Sequence, residues 1–167
     1  SKNTLNSTSV ACISGCAMYS YHHGVDTVHL TYLGLSRASI TQKMQFHKEA
    51  AKNKQFEYDN VMVIADTPLR VLPYGAGRFA YALSNDDFFV TVSRDSSDLP
   101  AVQVQIKSEA CFKYGAEAAC IKADAIANEI ASVIKAHVSR LDICNDFSTD
   151  YNFYRLTFPN IVSRSRR

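Results

Sequence analysis

The chain has 167 residues, 47% of them hydrophobic and 20% charged, with a formal net charge of +2. These fractions exclude disordered and collagen-like classes, the length suits one domain with a proper core, and no apolar run approaches the roughly 20 residues of a membrane span. So small a charge does not announce a nucleic-acid partner, although a neutral total can conceal a basic face.

Residues 1–23 are rich in Ser, Asn and small side chains without a sustained period, and read as an irregular N-terminal arm. Their start lacks the charged and apolar segments of a secretory signal. Five cysteines, odd in number and irregular in spacing, argue against a disulfide framework and for a reducing, cytoplasmic compartment. Cys12 and Cys16 with His22 and His23 hint at a metal knuckle, but adjacent histidines depart from the usual spacing of a zinc histidine pair. Gly24 opens a strand expected over 25–33, with Val28, Leu30 and Tyr32 on one face and Thr27, His29 and Thr31 on the other. A histidine among threonines is an ordinary resident of a half-exposed sheet before it is a ligand.

Residues 39–54 form a polar surface helix, with Ser39 as N-cap and Ile40, Met44, His47 and Ala51 as a thin apolar stripe. Strand character returns over 56–65, Asp66-Thr67-Pro68 reads as a turn, and Pro73, Gly75 and Gly77 make a bend. Runs at 79–83 and 88–93 flank the polar loop 84–87 and predict a hairpin. The run 101–109 alternates, sending Val102, Val104 and Ile106 to a core and Gln103, Gln105, Lys107 and Glu109 outward. That outer row can donate to and accept from phosphates, sugars or base edges, or can simply be wet.

The clearest helix is expected over 116–136, where Ala119, Ala123, Ile126, Ile130 and Ile134, with Ala127 and Val133, make one apolar stripe. A strand over 139–147 then places Arg140, Asp142, Cys144 and Asp146 on one face and Leu141, Ile143 and Phe147 largely on the other. Two carboxylates beside a guanidinium suit a hard cation next to a phosphate. A solvated ion-pair ladder gives the same pattern. The expected fold class is α+β, an open antiparallel β-sheet backed by helices in a single domain over 24–158, with a basic tail at 159–167 that includes Arg164, Arg166 and Arg167. No phosphate loop, dinucleotide fingerprint or Gly-x-Ser-x-Gly elbow is present, which argues against a nucleotide cofactor and acyl transfer.

Four segments, in this order, resemble a known family. They are Gly24-Val25-Asp26-Thr27-Val28-His29-Leu30-Thr31-Tyr32, Gly77-Arg78-Phe79-Ala80-Tyr81-Ala82-Leu83, Val102-Gln103-Val104-Gln105-Ile106-Lys107-Ser108-Glu109 and Val138-Ser139-Arg140-Leu141-Asp142-Ile143-Cys144-Asn145-Asp146-Phe147. Together they are similar to the rolling-circle replication initiators of phages and plasmids, relatives of the filamentous-phage replication endonuclease. The resemblance implies an HUH-like nicking domain, in which a divalent metal, Mg or Mn, polarises one phosphate of single-stranded origin DNA while a tyrosine attacks it. It implies Glu109, Asp142 and Asp146 as metal ligands. Arg78, Lys107 and Arg140 would neutralise phosphates, and Gln103 and Gln105 would hold the strand in register. The family's tyrosine strand is expected beyond Arg167, and Tyr151 and Tyr154 are the nearest candidate nucleophiles within the chain. The alternative is a non-catalytic binding or self-assembly module, pairing through hydrophobic edge strands and the tyrosine-rich segment 151–158.

Overall fold

The computed structural model describes residues 10–13, 16–53, 60–94 and 98–149, with side chains over 24–53, 60–94 and 98–144. The chain divides into two compact units. In the unit formed by Ser1–Gly24 and Cys144–Arg167, β1 (Val10–Ile13) pairs antiparallel with the opening of β2 (Cys16–Ser36), Val10 opposite Tyr19 and Ile13 opposite Cys16. The segment expected as an irregular arm thus carries strand.

The unit Val25–Ile143 holds the rest of β2, then α1 (Ala38–Lys52), β3 (Val61–Ile64), β4 (Thr67–Val71), β5 (Tyr81–Ser84), β6 (Phe88–Val92), β7 (Val102–Ile106), α2 (Ser108–Tyr114), α3 (Ala116–Ile130) and the first part of β8 (Ala131–Thr149). Its strands form an open antiparallel sheet in the order β8-β2-β7-β6-β5-β4-β3. The α+β architecture expected from the sequence is therefore present.

Period-two alternation builds the core. Val28, Leu30 and Tyr32 of β2, Phe88, Val90 and Val92 of β6, and Val102, Val104 and Ile106 of β7 are buried in one cluster with Met44 of α1, Ala110 of α2 and Ala119, Ala123, Ile126, Ala127 and Ile130 of α3. All three helices thus contribute to the layer on one face of the sheet. Each large aliphatic or aromatic side chain buried there contributes about 1.5–3 kcal/mol relative to exposure. The alanines of α3 let the helix approach closely, and the buried Tyr32 hydroxyl donates to Asp124 Oδ1 at 2.7 Å instead of going unpaired.

Several local expectations are corrected. Helix α1 is capped by Arg37, whose backbone is extended and whose N–H donates to the Ile130 carbonyl at 2.8 Å; Ser39 lies exposed inside the first turn. Helix α3 stops at Ile130 instead of 136, because Ala131 turns extended (φ −135°, ψ 156°) and β8 begins, leaving Ile134 83% exposed. Asp66-Thr67-Pro68 is not a turn of its own. Ala65 and Asp66 make the turn, both with positive φ (47° and 58°), and Thr67 and Pro68 already belong to β4, opposite Ile64 and Val63. These are the mirror-image values that match a hairpin's twist. Glu129 supports the turn by accepting from the Ala65 N–H at 2.6 Å. The β5–β6 hairpin forms as expected, and Asn85 closes it by accepting from the N–H groups of Asp87 and Phe88 through Oδ1. Among the described residues no helix is long and apolar enough to cross a membrane.

Candidate nucleic-acid interface

Strand registers dictate what shares the face opposite the core cluster. Arg70 pairs with Ser84, Ser84 with Phe89, Phe89 with Gln105 and Gln105 with His29, so one row crosses β4, β5, β6, β7 and β2. A second row runs Ala82, Thr91, Gln103, Thr31. Because the core takes the alternate residues, these rows are what the sheet offers on its other side.

This face holds a cavity of about 420 Å³, lined by His29, Arg78, Phe79, Phe89, Thr91, Gln103, Gln105 and Ser139 and also by Ala76, Gly77 and Leu99. The stretch between β4 and β5 forms part of the wall. Phe79 N–H donates to the Ala76 carbonyl at 3.0 Å, and Gly77 between them adopts a φ of +56°. Gly75 packs against the Phe79 carbonyl so closely that a Cβ there would collide with it. Arg78 sits exposed at the end of this turn.

A hydrogen-bonded relay lines the cavity. Gln103 Nε2 donates to Thr31 Oγ1 at 3.3 Å, Thr31 donates to Ser139 Oγ at 3.1 Å, and Ser139 donates to the His29 carbonyl at 3.2 Å. Thr31 is only 4% exposed, so this network satisfies a buried hydroxyl while orienting the Gln103 amide. The His29 imidazole has a pKa lowered from its ordinary value, by burial first and then by the Arg140 charge, against the opposing pull of Asp142. It is neutral at neutral pH, able to donate from one nitrogen and accept at the other.

Beside the cavity, Arg140 grips Asp142 in a fork, Nε to Oδ1 and Nη2 to Oδ2, both at 2.9 Å, and Thr27 Oγ1 donates to Oδ2 at 2.6 Å. The Arg140 hydrogen bond, followed by that of Thr27, holds the Asp142 carboxyl below the usual carboxylate range. Both partners of the fork are engaged with each other.

Of the residues expected to touch DNA, Arg78, Gln103 and Gln105 therefore converge on one cavity. Arg140 stands in the ion pair nearby, and Lys107 lies at the Ser84–Asn85 end of the same face, where Nζ donates to the Asn85 carbonyl at 2.5 Å. Glu109 does not continue the β7 alternation: it lies exposed in the first turn of α2, and β2 separates β7 from the strand that carries Asp142. Asp146 is in β8 with its side chain outside the described residues, as are those of Cys12, Cys16, His22 and His23, and Tyr151 and Tyr154 lie outside them altogether. Among the described residues no group of three His, Cys, Asp or Glu side chains gathers. Glu109 and Asp142 thus stand on elements that β2 separates.

His29, Phe79, Phe89, Thr91 and Ser139 were not singled out as binding residues by the sequence. The readable signal was Phe89, an aromatic at an outward position of an alternating strand. Comparison of the chain with family models, with curated proteins and with solved structures returns no match.

Proposed function

We propose that this chain is the DNA-handling domain of a rolling-circle replication initiator, and that it binds single-stranded DNA in the cavity between Arg78 and the β6–β7–β2 face. The observation that carries the reading is the convergence of Arg78, Gln103 and Gln105 around Phe89. A single strand exposes both its base faces and its phosphates. An aromatic ring offers stacking to any base, amides bond to base edges or sugars, and an arginine forks onto a phosphate.

The resemblance to replication initiators adds a tyrosine that cleaves the bound strand with Mg or Mn, in the cytoplasm of a bacterial or phage-infected cell. The test has two parts. Fluorescence anisotropy with a labelled oligonucleotide is expected to show binding that weakens steeply with salt, and a supercoiled plasmid with manganese reports nicking. Absence of oligonucleotide binding at low salt overturns the reading; binding without nicking limits it to recognition.

Strand β8 favours a second reading, a self-assembling module. Ile134 is 83% exposed, Ile143 76%, Val138 56% and Leu141 51%, an unusual display of branched apolar side chains on one strand. Light scattering that reports a monomer at high concentration would remove it.

A further inference from the structure

A second hollow, of about 530 Å³, lies on the same side of the sheet and is lined by Arg70, Ser84, Asn85 and Lys107 together with Val61 and Pro68. It is not separated from the first. Ser84, in its lining, pairs directly with Phe89 in the lining of the other. Lys107, the extended N-cap residue of α2 just past the end of β7, follows Gln105 by two residues, so it too stands one step from the first cavity. From His29 on β2 to Arg70 on β4 the row crosses four strand spacings, about 19 Å at the usual separation.

We infer that the second hollow is a phosphate-binding subsite for the same DNA strand, which runs across the β-strands with one base stacked on Phe89 at the junction. The inference rests on the single-strand reading of the first cavity. Its chemistry is complementary to a polyanion. Lys107 is held in place by the Asn85 carbonyl at 2.5 Å and Ser84 Oγ at 3.4 Å, which use two of the three donors of an ammonium group. Arg70 supplies a second cation from the neighbouring strand, opposite Ser84 in register. Asp86 also lines the hollow and carries the opposite charge, so the phosphate belongs on the side of Arg70 and Lys107. The span matches the lower end of the site sizes of sheet-surface binders, about four nucleotides. An oligonucleotide too short to reach both hollows therefore feels only the first.

The experiment measures anisotropy with oligo(dT) of about two nucleotides, half the span, and of about twelve, on the whole chain and on Arg70→Gln, Lys107→Gln and Arg78→Gln variants whose folding is checked by thermal unfolding. Arg70→Gln and Lys107→Gln are expected to weaken the long oligomer roughly tenfold and to lower its salt slope by about one, while the short oligomer binds as before. Arg70→Lys, which keeps the charge, restores the slope. Arg78→Gln weakens both lengths. Equal losses for both lengths, or no loss on the long oligomer, overturn the second subsite and leave the first cavity standing. No binding of either length by the unaltered chain overturns both.

Discussion

Thr27 on β2 donates its hydroxyl to Asp142 on β8 at 2.6 Å, on a carboxylate that Arg140 already holds through both oxygens. This three-residue cluster links two strands far apart in sequence, next to a histidine that faces the binding cavity. It turns the acid-and-arginine pattern of 139–147 into a structural clamp with an electrostatic effect on His29.

The clamp has a definite acid dependence. Asp142 has a folded pKa depressed below the ordinary carboxylate value of about 3.9, so its contribution to stability is present above that value and is lost as pH falls through the lower, folded one. Thermal unfolding followed against pH is expected to show Asp142→Asn melting below the unaltered chain at neutral pH. The two curves converge in strong acid. A gap that persists unchanged into strong acid would mean that the charge of Asp142 is not what stabilises.

The same surroundings set the pH response of binding. His29 is neutral at neutral pH and takes up a proton only below its ordinary value of about 6.5, since burial and Arg140 both disfavour the charged form. Protonation then adds a cation to the cavity wall. Oligonucleotide affinity is expected to be flat near neutral pH and to rise as pH falls below the ordinary histidine value of about 6.5, with a salt slope steeper by about one. His29→Gln should abolish the rise. An identical pH profile in that variant would exclude His29 from the interface.

Backbone contact, not side-chain chemistry, governs Gly34. A Cβ at this position would collide with the Ser132 carbonyl at the start of β8. Gly34→Ala is expected to lower the unfolding free energy by about 2 kcal/mol or more, measured in urea, because neither backbone can yield without disturbing the β2–β8 pairing. A change under about 0.5 kcal/mol would show that this approach is not tight in solution.

The β3–β4 turn offers the opposite sign. Ala65 and Asp66 occupy left-handed conformations that cost a side-chain-bearing residue about 1–2 kcal/mol, least for Asn and Asp. The pair Ala65→Asn with Asp66→Gly supplies the residues such a turn prefers. The Ala65 N–H that Glu129 accepts is retained. The double variant is expected to gain about 1 kcal/mol in chemical denaturation, and a loss would mean that another contact of these side chains outweighs the turn.

That turn also shows where sequence reading fails. Alternation in β7 and the hairpin at 84–87 were legible because each pattern is local: period two for the strand, an Asx closure for the loop. The turn at Ala65 was hidden because alanine is not a turn residue, and a tertiary partner, Glu129, helps to hold it there. Pro68 then disguised β4, although it pairs only with Val63 of β3 and no β5 partner is placed opposite it. Helical spacing continues in the letters through Ile130, Val133 and Ile134, whereas the chain turns extended at Ala131 into β8, which pairs with β2. Glu109 was misplaced for the reverse reason, since period two continues in the letters after the strand has become α2. Arg78, Gln103 and Gln105 were legible as donors, but the cavity they share follows from strand order, which no local pattern contains.

Phe89 is the most exacting test of that cavity. Its neighbours in β6, Phe88 and Val90, are buried in the core, whereas Phe89 is half-buried on the other face between Ser84 and Gln105. A phenylalanine placed there only to fill space could be replaced by leucine at little loss to oligonucleotide binding. A stacking platform could not, because leucine has no π-face. Phe89→Leu is therefore expected to weaken binding of oligo(dT) by about 1–3 kcal/mol, the usual contribution of one base on one ring. Thermal stability should move far less than in Phe88→Leu, whose ring is only 1% exposed. Phe89→Tyr should bind as the unaltered chain does. Equal affinity of the leucine and phenylalanine forms would remove stacking from the interface and leave Arg78 and the glutamines to hold the strand alone.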